Sequence, residues 1–145
     1  MRTIKELILH CTATPEGRNV SVEQVDEMHK LRGFKCIGYH FLIGLKGEIQ
    51  NGRPIEQIGA HCTGRNQNSI GIAYVGGVDR NNKPKDTRTP EQKQALKKLV
   101  EDLKKRFPGV TVHGHNEYAN KATKFSKPVY NNGLSNTLST KFTAI

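Results

Sequence analysis

The order of apolar patterns along this chain predicts a single α/β domain, with a central mixed β-sheet flanked by helices. Three observations carry that prediction. A buried apolar run, "KELILHCTA", lies near the start, and a longer one, "NSIGIAYVGG", spans Asn68 to Gly77. A strongly amphipathic stretch, "PEQKQALKKLVEDLKKRF", then separates it from a late strand pattern, "GVTVHGH". Strands that alternate with helices in this way point to a sheet covered by helical layers. At 145 residues the chain has the length of one domain.

Each element has a local reason. Leu7 to Leu9 form an apolar core run between polar flanks, which reads as a buried strand delivering His10 near its carboxyl end. Ser21 and Gln24 make a capping-box pattern. They open a short helix whose apolar face is Val22, Val25, Met28, His29 and Leu31, and Gly33 stops it. "GYHFLIGLKGEIQNGRP" reads as a hairpin that turns at Lys46 and Gly47 and returns over Glu48 to Gln50, with Tyr39 and Phe41 on one face. "NSIGIAYVGG" has the β-branched content and glycine punctuation of a central strand, and "DRNNKPKDTR" after it is a charged surface loop. Thr89, Pro90 and Gln92 supply an N-cap, a favoured first position and a capping box for a helix with Leu96, Leu99, Val100, Leu103 and Phe107 on one face. Its lysines fall on the opposite, solvated face. In the last strand Val110 and Val112 face one way, His113 and His115 the other. From Lys124 onward the chain is rich in Ser, Thr, Asn and Lys without a period, and residues 124–145 read as an irregular polar tail behind a domain of residues 1–123.

Composition narrows the function. The mean hydropathy is −0.64 and no apolar run approaches the roughly 18 residues of a membrane span. The amino terminus lacks the pattern of a secretory signal, so the chain is expected to be made in the cytoplasm, as a soluble monomer. Cys11, Cys36 and Cys62 are an odd number without framework spacing, which reads as free thiols. A net charge of +10 implies a polyanionic partner: nucleic acid, an anionic membrane, or the phosphate- and carboxylate-bearing polymers of a cell wall. No interleaved basic and aromatic stripe supports nucleic acid. A P-loop, a G-x-G-x-x-G and a C-x-x-C pair are all absent from the sequence.

Six histidines remain, at positions 10, 29, 40, 61, 113 and 115. A zinc site draws about four ligands from imidazole, thiolate, carboxylate and water. His10 and His115, each near the end of an apolar strand, are candidates if those strands are neighbours.

Taken in order, "ILHCTAT", "GYHFLIGLKGEI", "AHCTGRNQNSIGIAYVGG", "TPEQKQALKKLVEDL" and "VHGHNEYANKA" resemble the zinc-dependent N-acetylmuramoyl-L-alanine amidases of the phage lysozyme and peptidoglycan recognition protein type. The resemblance runs over roughly residues 5 to 123. It implies Zn2+ as cofactor, held by His10 and His115, with Tyr39 lining the site and Lys121 stabilising the oxyanion. It implies hydrolysis of the amide between N-acetylmuramic acid and L-alanine by a zinc-activated water. Peptidoglycan is then the partner, rather than nucleic acid or membrane, and Arg65, Asn66 and Asn68 line the substrate groove. A phage or prophage origin, with release to the wall after cytoplasmic synthesis, suits the same resemblance. The chain departs from the pattern at one place: Thr123 stands where phage-type members carry a cysteine ligand. A neutral hydroxyl replaces an anionic thiolate there. Glu117, Cys11 and Cys62 are nearby groups that could substitute, although Cys11 should face away from His10. Two functions follow from the resemblance: an active zinc amidase, or a peptidoglycan-binding module that keeps the groove without the chemistry.

Overall fold

The computed structural model describes residues 2–115. Glu117, Lys121, Thr123 and the polar tail lie outside them. The strands are β1 (Glu6–Cys11), β2 (Thr14–Pro15), β3 (Phe41–Ile43), β4 (Ile49–Asn51), β5 (Ser69–Tyr74), β6 (Gly77–Val78) and β7 (Thr111–Gly114). The helices are α1 (Val22–Leu31) and α2 (Pro90–Arg106). The main sheet runs β4-β3-β5-β1-β7. Its β3, β5, β1 and β7 pair in parallel, and β4 closes one edge antiparallel to β3. This is the mixed sheet with flanking helices that the sequence predicts.

β1 and β5 are apolar almost throughout because helices cover both faces of the sheet, as parallel strands require. Alternation divides their side chains between two cores. Leu7, Leu9 and Cys11 of β1 join Ile70, Ile72 and Tyr74 of β5 against Leu96, Leu99, Val100 and Leu103 of α2. On the other face Leu42, Ala73 and Val75 pack with Val20, Val25 and Ile37 beneath α1. Ile8 lies on that second face too, against Cys62.

Both helix starts are built as expected. Ser21 and Gln24 cap α1 reciprocally, and Thr89 and Gln92 do the same for α2, with Pro90 in its first turn. Gln92 is fully buried and its amide nitrogen also donates to the carbonyls of Val75 and Ile43, so the cap ties α2 to the ends of two strands. The Lys46-Gly47 turn is present, with Gly47 at φ 86°. The cysteines are free. Among the described residues no helix is long and apolar enough to cross a membrane.

Three local expectations are corrected. Met28 and Leu31 do not belong to the buried face of α1, where they are 39% and 89% exposed. Val25 and His29 define that face at i, i+4, and Leu31 lies about 200° round from His29 at ~100° per residue. Tyr39 and Phe41 do not share a face: Tyr39 packs in the α1 core and Phe41 in the α2 core. A bend at His40 precedes β3 and breaks the alternation. Finally, the central strand ends at Tyr74, because Gly76 and Gly77 take φ of 128° and 107°. β6 then pairs with β2 in a second, two-stranded sheet that no sequence pattern announced.

Candidate active site

The parallel register of β1 and β7 sets Leu9 opposite Gly114. One residue further, at the carboxyl edge where ligand sites of α/β sheets gather, His10 meets His115. Their Nδ1 atoms are 3.1 Å apart. Cys11, next in β1, points into the α2 core on the opposite face, as alternation requires. The two strand-borne histidines named from the sequence are therefore neighbours.

A third histidine joins them. His61, on the long segment between β4 and β5, brings its Nδ1 to 2.9 Å from His10 Nε2, and its own Nε2 is 3.2 Å from Ser69 Oγ. Asn66 fixes that segment, because its Oδ1 accepts from the backbone N–H groups of both His61 and Cys62. The Tyr39 ring lies 5.2 Å from that of His10. His10, His61, His115 and Tyr39 line a cavity of about 420 Å³, to which Thr12, His29 and Asn66 also contribute.

Burial sets the charge state. His10 is held well below the usual imidazole range by desolvation first, and then by His115, His61 and His29 around it. His61 is lowered well below that range too, again chiefly by burial, and burial lowers His115 to about 4. All three are neutral at pH 7, the state in which imidazole binds a metal.

The remaining candidates are distributed more widely. Asn66 lines the main cavity, with its amide oxygen committed to the loop. Arg65 and Asn68 instead line a second cavity of about 360 Å³ with Lys5, Glu6 and Thr111. That cavity sits at the amino-terminal ends of the same strands, about 13 Å along β1 from His10 at ~3.3 Å per residue. Arg65 is 3.6 Å from the Glu6 carboxylate, and Asn68 Nδ2 donates to the Thr3 carbonyl. The sequence pattern assigns Arg65, Asn66 and Asn68 to a groove and gives His61 no role of its own. The available signal was a histidine bracketed by Gly59 and Gly71, with an asparagine five residues on.

The described donors fit part of a zinc site. Two imidazole nitrogens each bound to one tetrahedral zinc stand about 3.3 Å apart, from Zn–N of roughly 2.05 Å, and the 3.1 Å separation here is close to that. Among the described residues no group of three His, Cys, Asp or Glu could hold a metal. Cys11 faces away, and the Cys62 thiol, pushed up to about 11 mainly by burial, resists becoming a thiolate.

The family model described as N-acetylmuramoyl-L-alanine amidase, Amidase_2, matches residues 1–128. The endolysin of Escherichia phage T7 is 38% identical over 116 residues, covering 80% of this chain and 77% of that protein. Among solved structures, the N-acetylmuramoyl-L-alanine amidase LysC from Clostridium intestinale superposes with a TM-score of 0.71 at 26% identity, over 92% of this chain and 86% of that one. A Drosophila PGRP-LB mutant in complex with tracheal cytotoxin gives 0.67 at 26% identity, over 81% and 73%. The chain belongs to the N-acetylmuramoyl-L-alanine amidase family.

Proposed function

We propose that this chain is a peptidoglycan hydrolase that cleaves the amide bond between N-acetylmuramic acid and the L-alanine of the stem peptide. The observation that carries the reading is the convergence of His10 and His115, neutral and 3.1 Å apart, beside Tyr39 on a cavity at the carboxyl edge of the sheet. His10 and His115 would hold the zinc, which when bound would supply a Lewis acid for the lactyl carbonyl and acidify the attacking water. The residues do the rest. Tyr39 donates its hydroxyl proton to the oxygen on which negative charge grows, and Lys121 places a fixed cation beside that oxygen. Arg65, Asn66 and Asn68 bind sugar hydroxyls and stem carboxylates of the substrate. The catalytic unit is residues 1–123, a monomer made in the cytoplasm and acting on the wall after release, with residues 124–145 as a tail.

Thr123 favours a second reading, a binding module on the same groove. Its hydroxyl is a poor replacement for a thiolate, and the PGRP-LB neighbour was solved in complex with tracheal cytotoxin. The two readings separate by measuring the zinc content of protein purified without added metal together with the release of stem peptides from peptidoglycan. Stoichiometric zinc with cleavage is expected and eliminates the binding module; wall binding with neither eliminates the enzyme. Thr123→Cys is expected to raise both zinc affinity and hydrolysis. An unchanged affinity would show that position 123 does not face His10 and His115.

A further inference from the structure

His61 is buried, it is absent from the mechanism above, and it approaches His10 more closely than His115 does, 2.9 Å against 3.1 Å. Ser69, His61, His10 and His115 form a chain of contacts that can run in two senses. In one, His10 Nε2–H donates to His61 Nδ1 and His61 Nε2–H donates to Ser69 Oγ. The Nδ1 of His10 is then unprotonated, with its lone pair facing His115 Nδ1 at 3.1 Å. In the other, Ser69 donates to His61, His61 Nδ1–H donates to His10 Nε2, and the His10 proton moves to Nδ1, where it blocks that lone pair. The partner on the far nitrogen of an imidazole thus decides whether the near one can bind a cation.

The protein holds the His61 ring tightly. Asn66 fixes its backbone. A Cβ on Gly71 would stand 2.6 Å from the ring, and one on Gly59 2.8 Å from its Cδ2, so both glycines are needed to admit it. His40 adjoins it with ring centroids 5.8 Å apart, and is itself fixed by the N–H of Gly71 and the carbonyl of Gln57. A residue that only filled space would need no polar partner at each ring nitrogen.

We propose that His61 is a positioning residue that keeps the proton of His10 on Nε2, with Ser69 accepting behind it, and so holds the His10 Nδ1 lone pair toward His115 for a divalent cation. The cation part rests on the zinc reading of the proposed function; the hold of His61 on His10 does not.

The test is imidazole 15N NMR of the zinc-free protein at pH 7, followed by zinc titration against a chelator of known affinity. The expected spectrum has both His10 and His61 as Nε2–H tautomers. His61→Phe removes the acceptor, so His10 is expected to shift toward Nδ1–H and zinc affinity to fall about 10- to 100-fold, the usual loss for such a partner. His61→Gln, whose amide oxygen can accept from Nε2–H, is expected to recover most of both. A wild-type His10 protonated on Nδ1 overturns the inference even if the Phe variant does not fold. So does a folded Phe variant with an unchanged His10 tautomer and zinc affinity within twofold of wild type. A wild type that shows the expected tautomers but binds no zinc overturns the metal reading and upholds the hold of His61 on His10.

Discussion

Acid is expected to destabilise this fold through His40. That imidazole is 1% exposed, with Nδ1 accepting from the Gly71 N–H at 3.0 Å and Nε2–H donating to the Gln57 carbonyl at 2.9 Å. Burial, with a smaller push from the Arg2 and Arg53 guanidiniums, lowers its pKa from 6.5 to about 4, against the Gln57 bond that pulls the other way. The native state therefore binds fewer protons than the unfolded chain between those two values. The stability contribution is complete above 6.5 and is lost as the pH falls toward 4. At about 1.4 kcal/mol per pH unit, the window amounts to roughly 3 kcal/mol, a large fraction of the 5–15 kcal/mol of an ordinary domain. His40→Asn isolates the effect, because its amide oxygen can still accept from Gly71 but does not titrate. Urea unfolding at half-unit steps from pH 7.5 to 4, in the presence of chelator, should show the variant less stable at neutral pH but losing about 3 kcal/mol less across the series. Parallel curves for the two proteins would refute the assignment of a buried neutral His40.

Two substitutions away from the histidines probe how the site is held. Arg53 is buried, and its guanidinium donates to the carbonyls of Ile37, Ile58 and Cys36 at 3.0, 2.7 and 3.3 Å. It ties the segment leading to Tyr39 to the one leading to His61. Arg53→Met is expected to cost about 3 kcal/mol by stranding those carbonyls, and to lower stem-peptide release well before the fold melts; a melting temperature within 2 °C of wild type would contradict this. Gln92→Leu keeps the volume but removes half of the α2 cap and the bonds to Val75 and Ile43. A loss of about 2 kcal/mol in chemical denaturation is expected, and a change below 0.5 kcal/mol would show that the strand ends do not depend on it.

What could be read from the sequence, and what could not, divides by how far apart the deciding contacts lie. β1, β5 and α2 are legible because burial on both faces of a strand and on one face of a helix leaves its own periodicity, and because Thr89 and Gln92 are within one turn of each other. His10 and His115 are legible as strand-end residues, and the parallel pairing of β1 with β7 turns two separate guesses into one contact. His61 carries no periodicity. It reaches His10 only because Asn66 folds its segment back and because Gly59 and Gly71, twelve positions apart in the sequence, leave room for its ring. The Tyr39 side is equally invisible locally, since the bend at His40 is fixed by its N–H donating to the Gly71 carbonyl and its carbonyl accepting from the Gly52 N–H.

The same division bears on the metal. Zinc needs its ligands neutral or anionic before it arrives, and His10 and His115 are kept neutral chiefly by burial, which disfavours the charged imidazole. Burial at the ends of β1 and β7 thus prepares His10 and His115. On the proposed zinc reading, a cysteine at position 123 would add charge neutralisation to that pair of imidazoles, and a threonine would not. The penalty of Thr123 should consequently appear in how tightly zinc is held rather than in the arrangement of His10, His61 and Tyr39. Crystal structures of the wild type and of Thr123→Cys, each without metal, are expected to superpose over residues 2–115, with His10 and His115 in the same rotamers. Rearrangement of either histidine in the variant would mean that residue 123 shapes the site as well as completing it.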